Sequence, residues 1–123
     1  MKTLVDSSGW IEFFSGSPLA DRYATYLKDP SQVITPTIVV YEVFKKIKRE
    51  RGEEAALMAA AQLNATQVTP LTEPIARLAA DLSLQHGLAM ADAVIYATAH
   101  DQEAQLVTSD ADLKDLPGVT YLK

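Results

Sequence analysis
Brief apolar runs recur between longer stretches of helical period, and this alternation restricts the fold more than any other feature of the chain. The runs are Leu4-Val5, Val33-Ile34, Val68, Leu106-Val107 and Val119-Thr120-Tyr121. Each reads as a short strand candidate. The stretches between them space apolar residues for helices: Trp10 to Phe14, Leu19 to Leu27, the segment after Thr35-Pro36 to Arg51, Glu53 to Asn64, Glu73 to His86 and Ala91 to His100. Ser7-Ser8-Gly9 supplies helix-starting chemistry, Thr35-Pro36 reads as an N-cap with proline at the first helical position, and Gly87 stands where a C-cap glycine belongs. Strands alternating with helices predict an α/β sandwich with a mainly parallel central sheet of about four to five strands.

At 123 residues the chain has the size of one domain, and a single domain over residues 1–123 is expected. The hydrophobic fraction of 48% is that of a globular protein and argues against disorder. No apolar run approaches the roughly 18 residues of a membrane span, and a carboxylate as early as Asp6 does not suit a secretory signal. Zero cysteines exclude disulfides, thiol catalysis and thiolate metal sites. A cytoplasmic protein is expected. The net charge of −5 argues against nucleic acid only if the acids are spread evenly. Acids gathered around a divalent cation reverse the local field.

The positions of four acids point to such a gathering. Asp6 follows the first strand, and Asp110 follows the Leu106-Val107 strand within Thr108-Ser109-Asp110-Ala111-Asp112. Asp92 falls in the first turn of its helix and Glu42 in the second turn of the helix after Val33-Ile34. In a parallel sheet these places lie along the rim at the strand carboxyl ends, where α/β proteins bind ligands. Glu42 and Asp92 also interrupt apolar stretches, Ile38 to Phe44 and Leu88 to Ile95. Like charges about 4 Å apart at an effective dielectric of about 20 repel by about 4 kcal/mol. Divalent cations resolve that conflict, and an all-oxygen donor set selects Mg²⁺ or Mn²⁺ over zinc.

Taken singly, each acid has an ordinary structural reading. Asp6 can cap the first helix, Asp92 can complement the helix dipole, Glu42 can pair with Lys46 at i,i+4, and Asp110 and Asp112 can be turn acids. Their joint placement on one rim is what these readings leave unexplained.

At these residues the chain resembles the PIN-domain family, and in particular the VapC-type toxins of toxin–antitoxin pairs. The resemblance rests on Leu4-Val5-Asp6-Ser7-Ser8, on Thr35 to Val43, on Gly87 to Ala99 and on Leu106 to Leu113, in that order. It implies a PIN-like α/β/α sandwich and a Mg²⁺/Mn²⁺-dependent endoribonuclease that uses metal-activated water. It also implies a homodimer and a cognate antitoxin. Residue by residue, the family's four acids fall on Asp6, Glu42, Asp92 and Asp110, as catalytic metal ligands with Asp112 accessory. Ser7 and Thr108 match its small polar positions and are expected to orient carboxylates. Leu113 departs from the Phe these toxins often carry, a change of packing.

Lys45, Lys46 and Arg49 follow Glu42 by three, four and seven residues and so share its helix face. They are candidates for RNA or antitoxin contact, or they form a solvated helix end. His86 and His100 end helices; Trp10, Phe13, Phe14, Tyr23 and Tyr26 read as core or dimer contact before a base-stacking platform, and the Ala-rich stretch 55–65 reads as packing closely against a neighbour, with a second subunit or the antitoxin as candidates. Two other functions share parts of this pattern. A PIN-like module that only binds nucleic acid or protein would not need all four acids. A phospho-acceptor receiver domain usually needs an acid beside the first one and a late-strand lysine, and neither is present.

Overall fold
The computed structural model of the chain describes all residues from 1 to 123. Its centre is the strand β1 (Thr3–Val5), buried along its whole length. Flanking it are β2 (Val33–Pro36) and β4 (Gln105–Thr108), with β3 (Gln67–Thr69) and β5 (Val119–Tyr121) at the edges. The order is β3-β2-β1-β4-β5, and every pairing is parallel. Apolar content follows that order: Leu4, Val5, Leu106 and Val107 are fully buried, whereas β3 is largely exposed. A parallel sheet covered on both faces requires its inner strands to be apolar throughout.

Six helices cover the sheet: α1 (Ser7–Ser15), α2 (Ala20–Tyr26), α3 (Thr37–Arg51), α4 (Glu53–Asn64), α5 (Glu73–His86) and α6 (Met90–Asp101). Together they make the expected α/β/α sandwich. Short 3-10 turns occupy Pro30–Gln32 and Ala111–Leu113. α3 and α4 form a hairpin hinged at Gly52, whose φ of 93° disfavours any side chain. Ala56 and Ala59 are buried in α4, so one face of the alanine-rich stretch packs within the chain, while Leu57 and Met58 stay exposed. From Ala93 to Ala99 seven consecutive residues of α6 are buried. A helix apolar all round belongs inside the layers rather than on them. No helix is long and apolar enough to cross a membrane.

One expected helix start is corrected. Thr35 and Pro36 belong to β2, and α3 begins at Thr37 with Pro36 in the cap position and no side-chain cap. Pro36 has extended angles, φ −61° and ψ 145°. It lies past the residues of β2 that pair with β1, so its missing N–H interrupts no ladder there. The Thr35 hydroxyl instead meets that of Thr66 at 2.6 Å.

With β1 in the middle, the chain moves outward to β2 and β3 on one side, then returns to β4 and β5 on the other. The order reverses between β1 and β4, whose carboxyl ends therefore flank the natural crevice of the sheet.

Candidate active site
Asp6 emerges from β1 into that crevice and caps α1. Its Oδ1 accepts hydrogen bonds from Ser8 Oγ at 2.6 Å and from the Gly9 N–H at 3.3 Å. Its Oδ2 accepts one from Thr108 Oγ1 at 2.7 Å, across from the end of β4. The residue is 3% exposed. Burial raises its pKa above the usual carboxylate value, the three hydrogen bonds oppose the shift, and the Asp110 charge adds to it. The capping reading and the rim position thus describe the same carboxylate.

Asp110 follows β4. Its N–H donates to Thr108 Oγ1 at 2.9 Å, so one buried threonine hydroxyl touches both acid-bearing segments. Its Oδ1 accepts the Asp112 N–H at 2.9 Å and starts the Ala111–Leu113 turn. This tight turn swings Asp112 back toward its neighbour. One carboxylate oxygen each from Asp92, Asp110 and Asp112 lie within 4.8 Å of one another. Asp92 reaches the group from the first turn of α6. Its pKa is pushed up to about 7, chiefly by burial, then by the charge and hydrogen bond of Asp110 and the charges of Asp6 and Asp112.

Asp6 and Glu42 stand outside that closest trio. Glu42, half-buried in α3, accepts a hydrogen bond from Ser7 Oγ, beside Asp6. Lys46 turns away from it: Lys46 Nζ lies 2.8 Å from Glu50 Oε2. Arg49 approaches Glu50 at 4.0 Å, and Lys45 donates to the Tyr41 hydroxyl at 3.2 Å. The other ion pairs are Lys48–Glu53 and Arg77–Glu73. Asp6, Glu42, Asp92, Asp110 and Asp112 therefore make no salt bridge with Lys, Arg or His. His86 and His100 instead make T-shaped contacts with the Tyr96 ring. His100 is eight residues beyond Asp92 along α6, about 12 Å at 1.5 Å per residue.

Ser8, Ser109 and Tyr23 are the polar participants that sequence reasoning missed. Ser8 Oγ accepts the Ser109 N–H at 3.0 Å while donating to Asp6, and the Tyr23 hydroxyl lies 2.6 Å from Ser109 Oγ. The available signal was the spacing Asp6-Ser7-Ser8, two hydroxyls just inside a capped helix. Ser7 serves Glu42 and Ser8 serves Asp6.

The donor set is hard oxygen throughout, negatively charged and without a cation of its own. That chemistry fits Mg²⁺ or Mn²⁺ and gives zinc no nitrogen or sulfur.

The PIN-domain family model matches residues 3–119. The chain belongs to the PIN-domain family. Among solved structures, this PIN domain is similar to a chain of a toxin–antitoxin complex from Klebsiella pneumoniae, at 28% identity and a TM-score of 0.81, covering 97% of this chain and 96% of that one. It also resembles VapC20 of Mycobacterium tuberculosis, a sarcin–ricin loop cleaving toxin, at 23% identity and a TM-score of 0.73, covering 90% and 92%. A third is VapBC2 from Rickettsia felis, bound to a DNA fragment from its promoter, at 18% identity and a TM-score of 0.76, covering 99% and 98%. The last two share the fold with this chain. No curated protein matches it in sequence.

Proposed function
We propose that this PIN domain, spanning residues 1–123, is a Mg²⁺- or Mn²⁺-dependent endoribonuclease and the toxin of a VapBC-type toxin–antitoxin pair. The observation that carries the reading is the set of carboxylates from distant segments held on one rim with no Lys, Arg or His to neutralise them. Its likeness to a chain of a toxin–antitoxin complex supports the toxin assignment.

In this reading Asp6, Glu42, Asp92 and Asp110 hold the metal, and Asp112 joins them. When bound, the ion supplies an activated water and offsets charge on the leaving oxygen of the phosphodiester. Thr108 and Ser8 aim the Asp6 carboxylate, and Ser7 aims that of Glu42. These hydroxyls keep the acids from turning toward solvent. Asp92, whose pKa is raised to about 7, gives up its proton as a cation is bound, so binding strengthens as pH rises. Lys45, Lys46 and Arg49 lie along the helix that carries Glu42 and guide RNA phosphates toward the rim, or meet the antitoxin. The protein acts as a homodimer.

The decisive experiment incubates the purified protein with total RNA in Mg²⁺ and in EDTA, beside Asp6→Asn and Asp92→Asn. Discrete fragments that need Mg²⁺ and vanish in both variants are expected. Intact RNA from the wild type under all conditions overturns the nuclease, and fragments that persist in both variants overturn the site.

A further inference from the structure
Tyr23 is the only fully buried residue of α2, and its side chain has no exposed surface at all. Its place is made by Gly9. A Cβ there would lie 2.4 Å from Tyr23 Cε1 and 2.6 Å from Val5 Cγ1, inside any real contact distance. The phenol thus lies against the first turn of α1, where packing alone would accept phenylalanine. The hydroxyl needs a separate reason, since a buried polar group without a partner is costly.

Its partner is Ser109 Oγ at 2.6 Å. Burial, with the charges of Asp6 and Glu12, pushes the phenol up to about 12 and keeps it a neutral hydroxyl. The backbone N–H of the same Ser109 donates to Ser8 Oγ, whose own proton goes to Asp6 Oδ1. Tyr23, Ser109, Ser8 and Asp6 therefore form one continuous line from α2 to the first acid. Ser109 also directly precedes Asp110, so the phenol anchors the segment that carries Asp110 and Asp112.

The geometry points to Tyr23 as a positioning residue for the metal centre: through Ser109 it holds the Asp110–Asp112 segment in register with Asp6. This rests on the metal-site reading above. Without the tether the ring still fills its space, but the segment after β4 gains freedom and a cation must order it on binding. Outer partners of metal ligands affect affinity about 10- to 100-fold, and a neutral hydroxyl two steps away belongs at the low end.

The test measures Mn²⁺ affinity by titration calorimetry, well below the melting temperature, in wild type, Tyr23→Phe, Ser109→Ala, the double variant and Asp6→Asn. Ile75→Val, a core change on α5, controls for lost stability, and Tyr26→Phe controls for loss of a hydroxyl elsewhere on α2. Tyr23→Phe and Ser109→Ala should each weaken Mn²⁺ binding about tenfold, and the double variant should be no weaker than either single one. Ile75→Val and Tyr26→Phe should bind as wild type does. In cleavage assays Tyr23→Phe should raise the Mn²⁺ requirement with the KM for RNA unchanged. Wild-type affinity in Tyr23→Phe with a loss in Asp6→Asn overturns the positioning role alone, as do losses that multiply in the double variant or an equal loss in Ile75→Val. Wild-type affinity in Asp6→Asn as well overturns the metal site itself.

Discussion

On one side of the rim Asp6 is enclosed, 3% exposed, and held by Ser8, Gly9 and Thr108. On the other, Asp92, Asp110 and Asp112 face one another with more exposure and far fewer donors. Both sides have a raised carboxylate pKa, and the causes differ. Burial dominates at Asp6, and hydrogen bonds oppose it. At Asp92 the neighbouring carboxylates add to burial. Asp6 is thus built into the fold, whereas the trio is tolerated by it. The first should behave as a structural group with a chemical use, the second as a group whose presence costs stability until a cation arrives.

The largest effect expected from that contrast is on catalysis. Asp92→Asn should lower Mg²⁺-dependent RNA cleavage by more than about 100-fold, since even outer partners of metal ligands are worth 10- to 100-fold. In EDTA the same variant should melt about 2–5 °C above the wild type, or level with it, because it removes repulsion. A clear drop in its Tm would make Asp92 structural and erase the contrast.

The Asp6 side should respond in the opposite sense. Asp6→Ala removes the α1 cap and strands the Ser8 and Thr108 hydroxyls, at a cost of about 1–3 kcal/mol in EDTA by denaturant unfolding. Gly9→Ala should cost a similar amount, about 1–3 kcal/mol, by driving a methyl into Tyr23. If either variant unfolds like the wild type, the Asp6 side is no more rigid than the trio.

A smaller effect is expected with pH. Asp92 titrates near 7 in the folded protein against an ordinary 3.8. The folded state therefore binds the proton more tightly than the unfolded one. The stability this contributes is complete below about pH 4 and is lost as pH rises through about 7. In EDTA the Tm should fall between pH 5 and pH 8.5. Asp92→Asn or saturating Mg²⁺ should flatten the slope, and an equal slope in the variant would assign the titration elsewhere.

The smallest change is expected at Lys46, paired with Glu50 on the surface. Lys46→Gln should shift Tm by no more than about 1–2 °C. A large loss would mean that Lys46 neutralises Glu42 in solution, and that the rim is less negative than its geometry implies.

Much of this arrangement was legible in the chain. Strand ends at Val5 and Thr108 place the acids that follow them on one edge whatever the details of packing, because parallel strands share a direction. Asp92 and Glu42 were legible as charges inside apolar helical stretches. Pro36 was misread because Thr-Pro is chemically a good helix opening, and only the pairing of β2 shows that the strand extends through it. Asp112 was read as accessory, yet it enters the trio because a 3-10 turn at Asp110 is tight enough to fold it back. Tyr23 reads as core or dimer contact, and the structure places its ring in the core. The role of its hydroxyl is not legible in the sequence, since the partner lies 86 residues away.

Local periodicity, strand polarity and the identity of the acids follow from the order of residues, because each depends only on near neighbours along the chain. Which hydroxyl meets which carboxylate, and which three acids stand closest, depend on how α1, α2 and α6 are rotated and seated on the sheet. A helix turns its face by about 100° per residue, so only a rotation of α1 by about that much would exchange Ser7 for Ser8. Side-chain packing across distant segments, with Gly9 opening space for Tyr23, decides that orientation.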